Sequence, residues 1–440
     1  QSTMSPEATA DINNRLLDYQ RQAMRTLGFA YKVLGDDESV FVDDRIVAGP
    51  FTFQGIVAIS DPVRSDVPAA VKECLDAGIA IKIVTGDTPA TACEIGRQIG
   101  LWSDADNDRN IITGPELGAL SDSELDSRVM DLKIIARARP MDKKRLVESL
   151  QRCNQVVAVT GDGTNDAPAL KQAHVGLSMG DGTSVAKEAS DITIIDNSFG
   201  SIGRAVMWGR SLYQNIQRFL LFQLTVNVAA SFIVLLGAFM GTQSPLTVTQ
   251  MLWVNLIMDT FAAMALASLP PSERVMRDKP RDRKAFILNR NMYENILGVG
   301  GFFFLLLFVL LFVFEHADIR QLTDLLHVHL GKADGLTPYE LTLFFTIFVM
   351  THFFYLFNAR AFETGRSALH FKGCKGLLFT AAIIFLGQIA MVELPVLQQF
   401  FNVVGLKFTD WVIIIVGSSL VLWVREVWQW IKHLSTNKRK

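Results

Sequence analysis

The stretch AVTGDGTNDAPAL, residues 158–170, decides the fold class of the first half of this chain. Its two glycines allow the backbone to approach a ligand closely, and Asp162 and Asp166 stand four residues apart. Mg²⁺ in proteins keeps several waters and is held by one or two carboxylates. The stretch therefore predicts half of a phosphate-handling site, and it raises the question of which group accepts the phosphate.

Apolar runs bounded by turn residues recur on both sides of this stretch and predict buried strands. The runs are FQGIVAI (53–59), IAIKIV (79–84), KIIA (133–136), QVVAV (155–159), VGLSM (175–179) and ITII (192–195). Helical patterns lie between them, at 66–78 and 143–153. Alternating strands and helices predict an α/β domain with a mostly parallel sheet, whose ligands bind beyond the carboxyl ends of the strands.

Three segments are predicted to meet at that edge of the sheet. They are VTGD (84–87), ARARPMDKKR (136–145) and VTGDGTND (159–166). Thr85 and nearby backbone N–H groups can hold phosphate oxygens, and Lys143 can neutralise a phosphoryl group. A lone TGD is more often an ordinary turn, but the full set in this order favours a phosphate site.

These motifs resemble those of the P-type cation-transporting ATPases. The matching segments are TGDGTNDAPAL, the upstream TGD and DPVR (61–64). The resemblance implies a haloacid-dehalogenase-like phosphorylation domain over 61–200 with its hinge at 61–64. It also implies the last part of a nucleotide-binding domain over 1–60 and a stalk helix over 201–218, which leads into a membrane domain over 219–440.

The resemblance also implies roles for single residues, with ATP and Mg²⁺ as the cofactors. Asp162 and Asp166 would hold Mg²⁺, Asn165 would help to order that site, and Lys143 would touch the phosphoryl group. The phosphates and ribose of ATP would lie near a further set of residues: Arg25, Thr85, Gly86, Asp87 and Arg137.

The family phosphorylates the Asp of a DKTGT motif, and this chain contains no such motif. DKK at 142–144 follows a proline and is predicted to open a helix. The chain starts with Gln1 in polar sequence, so we expect a piece of a longer pump that resembles roughly its C-terminal half. Without that Asp as the nucleophile, residues that only bind the phosphate and the metal form no covalent intermediate.

From Phe219 onward, long apolar runs predict an all-α membrane domain of six transmembrane helices, because about 20 helical residues cross a bilayer. The spans centre on 219–240, 249–269, 294–314, 341–357, 376–394 and 409–430. Loops rich in Arg and Lys alternate with loops that are poor in them. The positive-inside rule therefore predicts a multi-pass protein whose soluble head and C-terminus are cytosolic.

Polar residues inside these spans are candidates for an ion site, because an Asp at a helix centre costs ~2.5–3.5 kcal/mol to insert. Asp259 follows Asn255 by four residues, a spacing that places both on one face of an α-helix. Asn227 lies at similar depth on the preceding span. Such oxygen ligands suit a hard cation such as Ca²⁺, and the alternative is that these residues only join helices.

The segments FQLTVNV and QMLWVNLIMDT resemble the plasma-membrane-type calcium ATPases more than the reticulum type. The reticulum type binds two calcium ions, and its first site uses an acid and a Thr where this chain has Ala230 and Met258. The resemblance implies export of one Ca²⁺ per ATP across the plasma membrane. A pump for Mn²⁺ or mixed divalent cations, and a non-catalytic nucleotide-binding membrane subunit, stay open as alternatives.

Three further features complete the predictions. His352 is interpreted as a packed histidine, a proton carrier for countertransport or an incidental polar residue. The basic, Trp-rich segment 423–440 favours an interfacial anchor over a calmodulin target. The formal net charge of −2 gives no nucleic-acid footprint, so the predicted partners are the lipid bilayer, ATP and Ca²⁺.

Overall fold

The computed structural model of the chain describes residues 4–22, 24–33, 41–42, 45–46, 50–59, 62–241, 244–332, 335–364 and 367–437. The chain divides into two units. We call the unit formed by Gln1–Met207 and Glu273–Lys284 the head unit, and the unit formed by Trp208–Ser272 and Ala285–Lys440 the helical unit.

Strands and helices alternate in the head unit. Its strands are β1 (Arg25–Tyr31), β2 (Phe41–Val42), β3 (Arg45–Ile46), β4 (Thr52–Ile59), β5 (Ile83–Val84), β6 (Ile111–Thr113), β7 (Ile134–Ala136), β8 (Ala158–Gly161), β9 (Val175–Met179) and β10 (Ile192–Ile194). Its helices are α1 (Pro6–Arg21), α2 (Val67–Asp76), α3 (Pro89–Gln98), α4 (Gly114–Ala119), α5 (Asp122–Arg128), α6 (Pro140–Arg152), α7 (Ala167–Gln172) and α8 (Ser184–Ala189).

The parallel strands form two three-stranded sheets. One has the order β5-β7-β6 and the other has the order β10-β9-β8. In the first sheet, Ile134 pairs with both Ile83 and Ile111. In the second sheet, β8 pairs with β9 from Ala158↔Val175 to Gly161↔Ser178. Within residues 62–241, β5 and β8 each pair with a strand on one side only.

Burial explains why these short runs form strands. The three residues of β7 are fully buried, as expected for a parallel strand that is covered on both faces. Helix α6 buries Leu146, Val147 and Leu150 in an apolar cluster that includes Val84 of β5 and Val159 of β8. One apolar cluster therefore contains residues of both parallel sheets.

Among the described residues, six helices are long and apolar enough to cross a membrane. The helices from the long stalk onward are α9 (Phe199–Met240), α10 (Val248–Leu252), α11 (Asp259–Ala267), α12 (Arg290–His316), α13 (Pro338–Arg360), α14 (Lys375–Glu393), α15 (Pro395–Phe401) and α16 (Phe408–Asn437). The segment Trp253–Met258 between α10 and α11 is π-helical, and the three together form the second candidate span. Helix α9 is continuous over all 42 of its residues.

The predicted fold class is confirmed: an α/β unit with parallel strands is joined to a set of six apolar helices. Several details differ from the sequence pattern. The run IAIKIV yields only the two-residue strand β5, and the pattern did not indicate β1 or β6. Strand β4, the run FQGIVAI, pairs antiparallel with β1 and not with the parallel strands. Asp61 of the predicted hinge and the side chain of Arg25 lie outside the described residues.

Candidate functional site

The loop after β5 is bonded to the loop after β7. The Thr85 hydroxyl donates to Asp87 Oδ2 at 2.9 Å, and the Asp87 N–H donates back to Thr85 Oγ1 at 3.1 Å. The Asp87 carbonyl accepts from the Arg137 N–H at 2.9 Å, and the Thr85 carbonyl accepts from the Ala138 N–H at 2.9 Å. The structure therefore brings together Thr85, Asp87 and Arg137 of the residues that the sequence predicts beside the nucleotide, with Gly86 between Thr85 and Asp87 in open space.

Asp166 and Lys143 form a half-buried ion pair after β8. Lys143 Nζ lies 2.5 Å from Asp166 Oδ1, and the Gly163 N–H donates to Asp166 Oδ2 at 3.2 Å. Gly161 is required for this arrangement, because a Cβ at that position would lie 2.5 Å from the Cβ of Asp166. The stretch therefore folds so that the Asp166 side chain packs against Gly161 at the end of β8. Its carboxylate binds the ammonium of Lys143, which lies on α6.

Asp162 presents a free carboxylate directly after β8. The Asp162 side chain is exposed, and no hydrogen bond reaches its carboxylate from the described part of the chain. It lines a cavity of about 330 Å³ with Arg64, Asp181 and Asn197 among others. A free, exposed carboxylate fits Mg²⁺, which needs only one or two carboxylates. Asn165 is also exposed and leaves its amide available.

In the helical unit, Asp259 is the candidate ion ligand that lies in the interior. The Asp259 side chain is 2% exposed, and both carboxylate oxygens lack a hydrogen-bond partner within the described residues. Asn255 is exposed and Asn227 is half-buried. Asn255 belongs to the π-helical segment, whose turns are wider than those of an α-helix. The α-helical spacing that predicts a shared face for Asn255 and Asp259 therefore does not apply here.

His352 packs against two aromatic rings. It is fully buried, and its ring centroid is 5.2 Å from that of Phe303 and 4.3 Å from that of Phe348. The Nδ1 atom lies 2.6 Å from the Phe348 carbonyl, whereas Nε2 has no partner within the described residues. This environment favours the packed-histidine interpretation over the other two.

The sequence reasoning did not single out two other buried acids of the helical unit. Glu340 and Asp410 are both fully buried, and each accepts several hydrogen bonds. Their signal in the sequence is an acid at the end of an apolar span, in TPYELTL and KFTDWV. No group of three or more His, Cys, Asp or Glu side chains within the described residues could hold a metal ion.

Comparison with known families covers both units. A haloacid dehalogenase-like hydrolase family matches residues 3–174, and a second family of that description matches 143–206. The family of the cation-transporting ATPase C-terminus matches residues 243–431. The resemblance to the P-type cation-transporting ATPases is confirmed. The haloacid-dehalogenase-like character of the α/β unit is confirmed with it.

Individual relatives match nearly the whole chain. Calcium-transporting ATPase 7, plasma membrane-type, of Oryza sativa subsp. japonica is 39% identical over 412 residues, which is 92% of this chain and 38% of that protein. Plasma membrane calcium-transporting ATPase 4 of Homo sapiens is 37% identical over 417 residues, 91% of this chain and 33% of that protein. Calcium-transporting ATPase PAT1 of Dictyostelium discoideum is 36% identical over 442 residues, 94% of this chain and 39% of that protein. The chain therefore spans less than two fifths of the length of these relatives.

Proposed function

We propose that this chain is the C-terminal part of an ATP-driven calcium pump that exports Ca²⁺ from the cytosol through an aspartyl-phosphate cycle. The relatives are named as calcium-transporting ATPases, and they align with 91% to 94% of the chain. The single observation that carries the proposal is the state of Asp259. Its carboxylate is buried in a candidate membrane span, and neither oxygen has a partner within the described residues.

A buried carboxylate without partners is unfavourable, and a bound cation would supply what it lacks. Ca²⁺ takes six to eight oxygen ligands, so Asp259 can be only one of several. The amide oxygens of Asn255 and Asn227 are the further ligands that we propose from this chain, and the exposed Asn255 would have to turn toward Asp259 when the cation binds. The remaining ligands would come from a part of the pump outside it, as the family resemblance implies.

We propose one Ca²⁺ per ATP. Ala230 and Met258 occupy the two positions where the two-ion pumps have oxygen ligands, and both side chains are buried and apolar. These two positions therefore offer no oxygen to a second cation. Proton countertransport through His352 is the less favoured part of the proposal, because the His352 ring is enclosed by the rings of Phe303 and Phe348.

In the head unit, we propose that the phosphorylated Asp arrives on a strand that pairs between β5 and β8. Each of these strands has one unpaired edge within residues 62–241, and one apolar cluster contains residues from both sheets. The carboxyl end of a parallel strand inserted there would lie near Thr85 and Asp162, which directly follow β5 and β8 respectively. This placement would supply the acceptor that the chain's own motifs lack.

The roles of the chain's own residues follow from their contacts. Asp162 would hold Mg²⁺, which neutralises phosphate oxygens when it is bound. Asp166 orients the Lys143 ammonium through the 2.5 Å ion pair, and Lys143 then offers its remaining donors to the phosphoryl group. The backbone-bonded Thr85–Asp87 loop and Arg137 would receive the rest of the nucleotide.

We also propose that the head unit and the C-terminus are cytosolic and that the pump resides in the plasma membrane. The alternation of basic and non-basic loops supports the sidedness, and the names of the relatives support the location. The proposed partners are the bilayer, ATP and Ca²⁺. The preference for an interfacial anchor over a calmodulin target at 423–440, and the absence of a nucleic-acid partner, stay predictions.

The full-length protein carrying Asp259→Asn tests the proposal. We expect it to form no phosphoenzyme from labelled ATP in the presence of Ca²⁺, because the cation site has lost its anionic ligand. Asp410→Asn is the matched control, since this buried acid already has its own partners, and we expect it to keep the Ca²⁺ dependence. Normal phosphoenzyme in Asp259→Asn would contradict the ligand role.

The same assay separates the alternatives. Stimulation of the wild-type phosphoenzyme by Mn²⁺ as strongly as by Ca²⁺ would favour a mixed-ion pump, because oxygen ligands alone distinguish these two cations poorly. A wild-type full-length protein that binds ATP and forms no phosphoenzyme with either cation would favour the non-catalytic membrane subunit.

A further inference from the structure

Asp181 and Asn197 form a reciprocal hydrogen-bonded pair near the Mg²⁺ motif. The Asp181 N–H donates to Asn197 Oδ1 at 3.1 Å, and Asn197 Nδ2 donates to Asp181 Oδ2 at 2.5 Å. Asn197 has a positive φ of 53°, a left-handed conformation that Asn adopts more readily than most residues. Asn197 therefore uses its left-handed backbone and both polar atoms of its side-chain amide to hold the loop that starts at Asp181.

That loop in turn holds the backbone of Asp162. The Thr183 N–H donates to the Asp162 carbonyl at 2.8 Å. A Cβ on Gly182 would lie 3.1 Å from the Asp162 carbonyl oxygen and 3.2 Å from its Cα, so the loop packs directly on this residue. Asp181, Gly182 and Thr183 are consecutive, which means that the position of Asp162 depends on the Asp181–Asn197 pair.

Asn197 is also tied to the hinge and to the start of the long helix. Arg64 Nη1 donates to the Asn197 carbonyl at 2.6 Å, and the neighbouring Ser198 hydroxyl donates to Asp66 Oδ2 at 2.8 Å. Helix α9 begins two residues after Asn197, at Phe199. Arg64, Asp162, Asp181, Asn197 and Phe199 all line the same cavity of about 330 Å³.

We propose that Asn197, through Asp181 and with Arg64, is a positioning residue that sets the place of the Mg²⁺ ligand Asp162 relative to the first turn of α9. Asn197 itself touches neither the cation nor the phosphate. This inference rests on the proposed function, because it assigns Asp162 to Mg²⁺. It adds two residues that belong to none of the predicted motifs, Asn197 and Asp181, and it gives Arg64 of the predicted hinge a positioning contact.

The test measures Mg²⁺ binding to the full-length protein by thermal stabilisation, since a ligand that binds the folded state raises the unfolding temperature. Asn197→Gly is the informative variant, because glycine keeps the positive φ without strain and removes only the two side-chain hydrogen bonds. Loss of two such bonds, each worth about a factor of three, gives an expected rise of about tenfold in the Mg²⁺ concentration for half-maximal stabilisation. Asp162→Asn should remove this stabilisation and so identifies the site being measured.

A matched control separates positioning from general damage to the head unit. Asp126→Asn breaks a comparable exposed pair, in which Arg152 lies 2.8 Å from Asp126 Oδ1, without touching the Asp162 loop. It should lower the unfolding temperature and leave the Mg²⁺ dependence unchanged. Arg64→Lys keeps the charge and a donor, so it should raise the Mg²⁺ requirement less than Asn197→Gly does.

Two outcomes would overturn the inference: an unchanged Mg²⁺ dependence in Asn197→Gly, or an equal shift in Asp126→Asn. The Ca²⁺-dependent phosphoenzyme of the wild-type protein is recorded in parallel. Its absence would overturn the proposed function, whereas the thermal measurement would still decide the role of Asn197. If both are intact, the phosphoenzyme of Asn197→Gly should show the same raised Mg²⁺ requirement and an unchanged Ca²⁺ requirement.

Discussion

Two buried acids of the helical unit, Asp259 and Asp410, differ in every contact that they make. Asp410 is 0% exposed, accepts the Leu322 N–H at 2.9 Å and accepts the hydroxyl of Tyr339. Asp259 is 2% exposed, and its carboxylate accepts nothing from the described residues. Burial alone therefore does not distinguish a structural carboxylate from a functional one.

Glu340 is a third buried acid of the helical unit, and like Asp410 it has several partners. It is 0% exposed, forms an ion pair with Lys332 and accepts the N–H groups of Ile319 and Thr337 at 3.1 and 2.8 Å. Glu340 and Asp410 thus satisfy backbone groups of the segment between α12 and α13. A buried acid with a full set of partners anchors a loop, whereas the acid without partners in the described residues is the one that we propose as a cation ligand.

The largest stability effect is expected for Glu340→Ala. It would leave the Lys332 ammonium, whose side chain is 7% exposed, without its carboxylate. Removing one partner of a buried ion pair costs about 3–5 kcal/mol, so the free energy of unfolding should fall by that amount. Thermal unfolding of the full-length protein in detergent would measure it.

The exposed pair of Arg290 and Glu294 provides the control for this prediction. Their side chains are 91% and 62% exposed, and Glu294→Ala should change the free energy of unfolding by less than ~0.5 kcal/mol. Equal losses in the two variants would show that Glu340 does not act as a buried anchor.

A smaller change in the free energy of unfolding, of opposite sign for Asp410 and Asp259, is expected when each Asp is changed to Asn. Asp410→Asn weakens hydrogen bonds to a charged group and should cost about 1.5–3 kcal/mol. Asp259→Asn removes an unpaired buried charge and should leave stability unchanged or raise it. Unfolding of both variants without Ca²⁺ measures the difference, and a destabilised Asp259→Asn would mean that Asp259 has structural partners after all.

The sequence predicted much of the head unit because its signals are local. Apolar runs such as KIIA become strands buried on both faces, and the carboxyl-end rule places Thr85 and Asp162 on the loops that follow β5 and β8. Strand lengths were less predictable. IAIKIV yields only Ile83–Val84, because only those residues pair with β7 and the described residues pair β5 on one side only.

The candidate ion site was predicted less completely. Asp259 follows from its charge in an apolar span, but nothing in WVNLIM, which contains neither Pro nor Gly, indicates the π-helical segment that exposes Asn255. The role of Asp410 depends on partners far away in the chain, such as Leu322 at a separation of 88 residues, and Glu340 also binds the Ile319 N–H, 21 residues away. Long-range pairing of this kind is not readable from periodicity.

His352 offers a test with a still smaller effect on stability. His352→Phe loses the bond to the Phe348 carbonyl and places a third phenyl ring against Phe303 and Phe348, so the free energy of unfolding should change by less than ~1 kcal/mol. Ca²⁺-driven proton movement in vesicles that contain the full-length protein would be unchanged. Loss of proton movement with retained Ca²⁺ transport would instead establish His352 as the carrier.

The smallest effect concerns Lys82, a half-buried cation of the head unit that has partners, as Asp410 does. Its ammonium donates to the carbonyls of Val129 at 2.8 Å and Met130 at 3.2 Å and also to that of Leu132. Burial lowers the pKa of Lys82 from 10.5 to about 8, and the nearby Asp131 opposes this shift. Between these two pH values the unfolded chain binds a proton that the folded chain does not, so stability should rise with pH across that window.

Solvent screening and the three carbonyl acceptors keep the Lys82 effect under about 1 kcal/mol. The measurement is the unfolding temperature of the wild-type protein against that of Lys82→Met as the pH is raised from 8 to 10.5. Met lacks the titrating group, so the difference between the two proteins isolates Lys82. A wild-type advantage that stays level or falls as the pH is raised through this window would mean that the carbonyls stabilise the ammonium more than burial disfavours it, and Lys82 would then behave as a fully satisfied charge.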